Sequence, residues 1–248
     1  MNAPITDTAT TVAFSFNGKQ ITAFEGETIL QAAKRNGYEI PHLCYSDNLR
    51  ADGNCRACMV EIDGERALAP SCCRQPNNDM TVRGDSGRAR KAQSLVLELL
   101  RGEVGNSHFS NRSELDYWCD QLEVTESRFG SRQQPVGDAS HPAISVNLSA
   151  CIQCTRCVRA CREEQANDVI GFAHRGIHSE IVFDLGDSMG ESSCVGCGEC
   201  VQACPTGALM PAGGVGLEAM DRTVDSVCPY CGVGCLLTYH VKDNRIQH

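Results

Sequence analysis

The early part of the chain carries the two-residue period of a half-buried sheet. Val12 to Phe16 alternates apolar and polar positions up to Asn17-Gly18, and Gln20 to Phe24 answers it, which predicts a hairpin. Thr28 opens a short amphipathic helix bearing Ile29, Leu30, Ala32 and Ala33. Gln31, three residues on, completes a capping box, and the helix is expected to stop near Gly37. Met59–Ile62 and Met80–Val82 give further short strands. The pattern then turns helical. Asp85 or Ser86 is placed to cap a helix reaching about Arg101, with Ala89, Ala92, Val96, Leu99 and Leu100 on its apolar face and Gly102 after it. A shorter helix holds Leu115, Trp118 and Leu122. Arg128 to Pro142, polar and rich in Gly, Ser and Pro, reads as a linker. Alternation returns at Glu180–Phe183.

Composition changes the picture. Aromatics make up only 5% of 248 residues, too few to supply much of a core, whereas cysteines number 17. Metal clusters that staple small modules would fill that role. Disulfide scaffolds are usually short and secreted. Here Met1 to Thr11 has no basic stretch followed by an apolar run, and no apolar run approaches membrane-spanning length. The expected setting is the reducing cytoplasm, without membrane attachment. A net charge of -9 with no offsetting basic stripe argues against a nucleic-acid partner.

The cysteines divide the chain. Cys44, Cys55, Cys58 and Cys72 are spaced C-x10-C-x2-C-x13-C, and Asp52, Gly53, Asn54 and Ala57 give the loop small, turn-forming residues. Four thiolates suit a [2Fe–2S] cluster, and such a loop lets backbone N–H groups approach the sulfurs. C-x2-C is also half of a zinc motif. Counting from Met80 favours Cys72 as the last ligand and counting from Pro76 favours Cys73; Cys72 is preferred, with Cys73 a spare thiol or substitute. His42 is read as a loop-shaping residue.

"CIQCTRCVRAC" and "CVGCGECVQACP" both read C-x2-C-x2-C-x3-C. This is the two-cluster bacterial ferredoxin spacing, in which the fourth cysteine of each run serves the other cluster. One [4Fe–4S] cluster is therefore assigned to Cys151, Cys154, Cys157 and Cys204, the other to Cys194, Cys197, Cys200 and Cys161. Arg162 stands where many ferredoxins have proline, a position that is not a ligand. His174 and His178, in the insert between the runs, are read as surface or structural residues. A third signal, "VCPYCGVGC", holds Cys228, Cys231 and Cys235 in C-x2-C-x3-C spacing with no later cysteine.

The segment "IPHLCYSDNLRADGNCRACMVEI" resembles the β-grasp [2Fe–2S] domain of the large iron–sulfur subunit of respiratory complex I. Iron-only hydrogenases and NAD-linked formate dehydrogenases share that domain. "CPYCGVGC" resembles the opening of molybdenum- or tungsten-bis(pterin) oxidoreductases, above all formate dehydrogenases. Complex I and most iron-only hydrogenases also carry H-x3-C-x2-C-x5-C between the first two modules. "GNSHFSNRSELDYWCDQL" offers only His108 and Cys119, so no cluster is expected there and Cys119 is read as buried packing.

The resemblance to cytoplasmic NAD-dependent molybdenum or tungsten formate dehydrogenase, in the iron–sulfur region of its α subunit, runs through essentially the whole chain. It implies an α+β protein in four parts. These are a β-grasp [2Fe–2S] ferredoxin domain (1–83), a helical linker (84–143), a two-cluster bacterial-type ferredoxin domain (144–212) and the truncated start of a molybdopterin oxidoreductase [4Fe–4S] domain (213–248). It further implies one [2Fe–2S] and two [4Fe–4S] clusters, and a third [4Fe–4S] at Cys228, Cys231 and Cys235 if a fourth ligand is supplied. A Mo/W-bis(pterin guanine dinucleotide) would sit in a missing downstream domain. The implied partner is a flavin- and NAD-binding β subunit with its own iron–sulfur clusters. The implied reaction is oxidation of formate with NAD+, its catalytic centre outside these residues. The alternative is a non-catalytic iron–sulfur electron-transfer subunit of a hydrogenase, diaphorase or complex I-like assembly.

Overall fold

The computed structural model describes residues 11–104, 113–130, 136–212 and 220–247. Strands β1 (Thr11–Phe16) and β2 (Lys19–Phe24) pair antiparallel in the register Phe14↔Ile21. Asn17 and Gly18 both take positive φ, 50° and 80°. That is the turn geometry that matches the strand twist, and it suits an Asn-Gly pair. Helix α1 (Ile29–Arg35) begins with the expected capping box: Thr28 Oγ1 accepts from Gln31 N–H, and Gln31 Oε1 accepts from Thr28 N–H at 2.9 Å.

Strands β3 (Met59–Ile62), β4 (Ala69–Pro70) and β5 (Thr81–Arg83) complete a five-stranded sheet of order β2-β1-β5-β3-β4. Only β1 and β5 run parallel in it. Phe14, Phe16, Ile21 and Val82 meet Ile29, Leu30, Ala32 and Ala33 of α1 in its core. The hairpin and the helix are those that the alternation and the capping signal predict, and the sheet around them is the grasp-like one that the resemblance implies.

Helix α2 (Gly87–Val104) starts at Ser86, whose Oγ accepts from Ala89 N–H. Two sequence expectations are corrected here. The helix runs through Gly102 instead of ending before it. Of its expected apolar face, Ala89 is buried and Val96 and Leu100 pack against the core, but Leu99 is exposed, and Gln93, Leu97 and Gly102 are buried as well. Gly102 serves close approach: a Cβ there would meet Ser127 Oγ at 2.7 Å. Gln93 is buried because its amide donates to the carbonyls of Met59 (2.8 Å) and Gly84 (3.2 Å).

Helix α3 (Glu114–Gln121), capped by Ser113, packs on α2 and buries Leu115, Trp118 and Cys119. His108 lies outside the described residues. The segment expected as a helical linker thus contributes to a core shared with its neighbours. Leu97, Leu115, Trp118 and Cys119 join Leu43, Cys44 and Ala57 on one side and Ile152 and Cys154 on the other. At the far end of the stretch expected as linker, Asp138 bridges Val146, and its carboxylate accepts from Met189 N–H.

The next layer pairs β6 (Ile144–Val146) with β9 (Leu209–Pro211) and β7 (Ile170–Ala173) with β8 (Glu180–Phe183), the latter where alternation placed a strand. Short helices α4 (Arg156–Arg159) and α5 (Glu199–Ala203) pack on each other between these ladders. His174 and His178 are exposed, and His174 lies 3.6 Å from Glu180. A final meander, β10 (Arg222–Val227), β11 (Leu236–Lys242) and β12 (Arg245–Ile246), was not legible in the pattern. Among the described residues no helix is long and apolar enough to cross a membrane.

Candidate metal centres

In the first group, the 44–58 loop and the segment after β4 bring Cys44, Cys55, Cys58 and Cys72 together. Cys44, Cys58 and Cys72 are each 1% exposed. Backbone sets the loop: Gly53 and Arg56 both adopt left-handed φ. Cys44 N–H points at Cys55 Sγ, 3.4 Å away. The four thiols lie close enough to perturb one another. Cys44 is drawn well down from the usual thiol range by Cys55 first and Cys72 second, while Cys55 and Cys72 are pushed up by the same proximity. Ser71, wholly buried, holds the loop closed through its hydroxyl and N–H, both donating to Cys58 carbonyl. Cys73 faces outward with Sγ 3.6 Å from Cys72 Sγ. It lies over Gly53, where a Cβ would stand 2.8 Å from its sulfur. His42 Nδ1 lies 2.7 Å from Ile40 carbonyl, within its own loop.

The two regular runs fold as a quasi-repeat. Gln153 and Thr155 in one, Gly196 and Gly198 in the other, all take left-handed φ. Alternating such residues turns successive N–H groups inward, the arrangement that makes an anion nest. Accordingly, Gln153 N–H donates to Cys151 Sγ and Gly196 N–H to Cys194 Sγ, both at 3.4 Å. Each loop then enters its helix, α4 or α5.

Two cavities result. One is lined by Cys151, Cys154, Cys157 and Cys204, with Leu148 and Leu209 among its apolar walls. The other is lined by Cys161, Cys194, Cys197 and Cys200, with Ile144 and Ile170. The fourth cysteine of each run has crossed to the other cavity. Burial raises the Cys154 and Cys157 thiols first of all, and proximity to Cys204 adds to it. Cys200 is pushed up to about 12 by burial, then by Cys194, Cys197 and Cys161. Four converging thiols in an apolar cavity, with N–H groups aimed at the sulfurs, fit the donor chemistry of a cubane cluster. Among the described residues no three His, Cys, Asp or Glu side chains close on one point as a single ion requires. The thiols stand around a space instead.

Cys228, Cys231 and Cys235 lie in the loop joining β10 and β11, closed by Cys228 N–H donating to Cys235 carbonyl at 2.8 Å. Cys231 and Cys235 are exposed. Cys119 is fully buried in the apolar cluster under Trp118, and desolvation raises its thiol.

Sequence reasoning missed two residues between these centres. Arg156 and Arg159 of α4 are 5% and 3% exposed. Arg156 pairs with Glu114 (2.8 Å) and donates to Leu43 carbonyl. Arg159 donates to the carbonyls of Arg50, Cys44 and Cys154. The available signal was their place inside the cysteine run, between Cys154 and Cys161.

Three family models match. A 2Fe-2S iron–sulfur cluster binding domain covers residues 9–87, a 4Fe-4S dicluster domain 150–208 and a molybdopterin oxidoreductase Fe4S4 domain 221–248. Relatives include a G-type subunit of the NADH-quinone oxidoreductase of Rhizobium meliloti, 33% identical over 90% of this chain and 27% of its own length. NADP-reducing hydrogenase subunit HndD of Solidesulfovibrio fructosivorans is 34% identical over 80% of this chain and 36% of its own. A chain in the crystal structure of an NAD+-reducing [NiFe]-hydrogenase in the H2-reduced state superposes with TM-score 0.76 at 27% identity, covering 84% of this chain and 90% of that one. This chain spans about a quarter of the length of the first curated relatives it matches.

Proposed function

Since this chain belongs to the N-terminal iron–sulfur region of the NADH-quinone oxidoreductase G and NAD-reducing hydrogenase subunit family, we propose that it is the electron conduit of a multisubunit, nicotinamide-linked oxidoreductase. The observation that carries this reading is the pair of four-cysteine cavities with exchanged fourth cysteines. Cys44, Cys55, Cys58 and Cys72 would hold a [2Fe–2S] cluster. Cys151, Cys154, Cys157 and Cys204 would hold one [4Fe–4S], and Cys194, Cys197, Cys200 and Cys161 the other. Bound clusters supply one-electron redox chemistry.

The chain's own part is to hold deprotonated thiols, aim N–H groups at their sulfurs and line the sites with apolar walls. These are the means by which a protein tunes a cluster's potential. A partner subunit carrying flavin would exchange the electrons with the nicotinamide.

A second reading is favoured by two features. Cys228, Cys231 and Cys235 lie within the match to a molybdopterin oxidoreductase domain, and "CPYCGVGC" resembles the opening of formate dehydrogenases. Under it, formate oxidation at a Mo/W-bis(pterin) centre beyond these residues is the electron source. The sequence between 105 and 122 lacks the H-x3-C-x2-C-x5-C motif, which favours this reading. The named relatives, an NADH-quinone oxidoreductase and two hydrogenases, favour the first.

The test is iron and acid-labile sulfide per chain on anaerobically purified protein, with EPR during stepwise reduction. About ten irons are expected, one [2Fe–2S] plus two [4Fe–4S]. About fourteen would mean that the three late cysteines are filled as well. Two irons or fewer with stoichiometric zinc would overturn the conduit reading.

A further inference from the structure

Arg159 is a cation enclosed between two cysteine sites. Its Nη2 donates to the carbonyl of Cys44 at 2.5 Å and to that of Cys154 at 3.4 Å, and Nη1 donates to Arg50 carbonyl. Its Nε lies 3.2 Å from Asp52 Oδ2, an ion pair whose angle makes no hydrogen bond. Asp52 in turn accepts from the Thr155 hydroxyl and faces exposed Arg50, which also reaches Glu163. Asn54 donates to Thr155 from the other side. Arg156, one turn back on α4, has its own partner in Glu114.

Thus one guanidinium joins the peptide of a cysteine in the first group to the peptide of a cysteine in the first cavity. Asp52, its carboxylate neighbour among the described residues, is shared with another arginine and a hydroxyl. A buried ion pair is weak evidence for stability, because desolvation offsets most of its attraction. Its placement therefore calls for a different account. The fork geometry of arginine can hold several carbonyls at fixed separation, which an ammonium cannot. A positive charge in a low-dielectric setting also favours whichever state of its neighbours is more negative.

We propose that Arg159 is a positioning residue that fixes the separation of the Cys44 and Cys154 centres and raises the reduction potential of both. This rests on the cluster reading of those sites given above. The charge acts on both centres because its two contacts are to the two ligand peptides. The Cys194 cavity, to whose cysteine peptides Arg159 makes no hydrogen bond among the described residues, feels it least.

The experiment is an EPR-monitored redox titration of the intact chain, with iron and sulfide measured on every sample. Arg159→Gln is expected to lower the reduction equilibrium constants of both centres about tenfold, equal to 59 mV for a one-electron couple. Arg159→Lys keeps the charge and is expected to stay within about threefold of the parent, while altering the spin–spin interaction between the two centres as the fork is lost. Asp52→Asn removes the counter-charge and is expected to move both potentials upward. Arg35→Gln, a distant surface change, is the control.

Full iron with unmoved potentials in Arg159→Gln would overturn the proposal, as would a Lys variant shifted as far as Gln. If Arg159→Gln fails to retain iron, Asp52→Asn decides: an upward move supports the proposal and any other outcome overturns it. A parent chain without iron at these cysteines removes the cluster reading itself, a result separate from any of these.

Discussion

Adjacent Cys72 and Cys73 differ by which side of the loop they face. Cys72 is 1% exposed and lies beside Cys44 and Cys58, while Cys73 is turned outward over Gly53. Cys73→Ala is expected to keep the full iron content and the [2Fe–2S] EPR signal. Cys72→Ala is expected to lose that signal and about two irons per chain. Equal loss in both variants, read by the same iron assay, would show that either sulfur serves. Sequence left the choice open because both cysteines sit at workable counts from the next strand. Burial, which depends on the path of residues 69–74 against the 44–58 loop, separates them. The same limit explains Arg156 and Arg159. A charged residue in a cysteine run reads as solvated until the loop it reaches, more than a hundred residues earlier, is seen to cover it.

At the scale of single elements, local signals were the legible ones. The Asn17-Gly18 turn and the Thr28 and Gln31 capping box need only their immediate neighbours, and both form as expected. Thr28→Ala is expected to cost about 1 kcal/mol, since it leaves a helix N–H unpaired. Chemical denaturation followed by circular dichroism measures it, and no change in midpoint would show that the cap contributes nothing. Helix α2 shows where such reading stops. Residues 95–100 are apolar at every position but Glu98, so periodicity cannot choose a face. Tertiary contacts choose it, through the Met59 and Gly84 carbonyls that Gln93 satisfies. Strands of two or three residues such as β4, β6 and β9 carry too little alternation to be seen, and they exist because a partner strand closes on them.

Taken whole, the molecule does not separate where its cysteine groups do. Leu97 of α2 is fully buried in a cluster that includes Cys44 and Ala57 from one module and Ile152 and Cys154 from another. Leu97→Ala is expected to cost about 2–5 kcal/mol and to weaken both modules together. Urea titration followed by far-UV circular dichroism and by cluster absorbance should then show one shared, earlier transition; two separate transitions with only one displaced would mean that the cores are independent. The exchange of fourth cysteines has a consequence for manufacture. The cavity begun by Cys151, Cys154 and Cys157 is walled on its last side by Cys204, the final cysteine of the two runs. A ribosome delivering the chain from its amino end therefore cannot present that cavity complete until the second run has emerged. Whatever donor supplies the iron must meet a nascent chain already long enough to have interlocked, or wait until its synthesis is over.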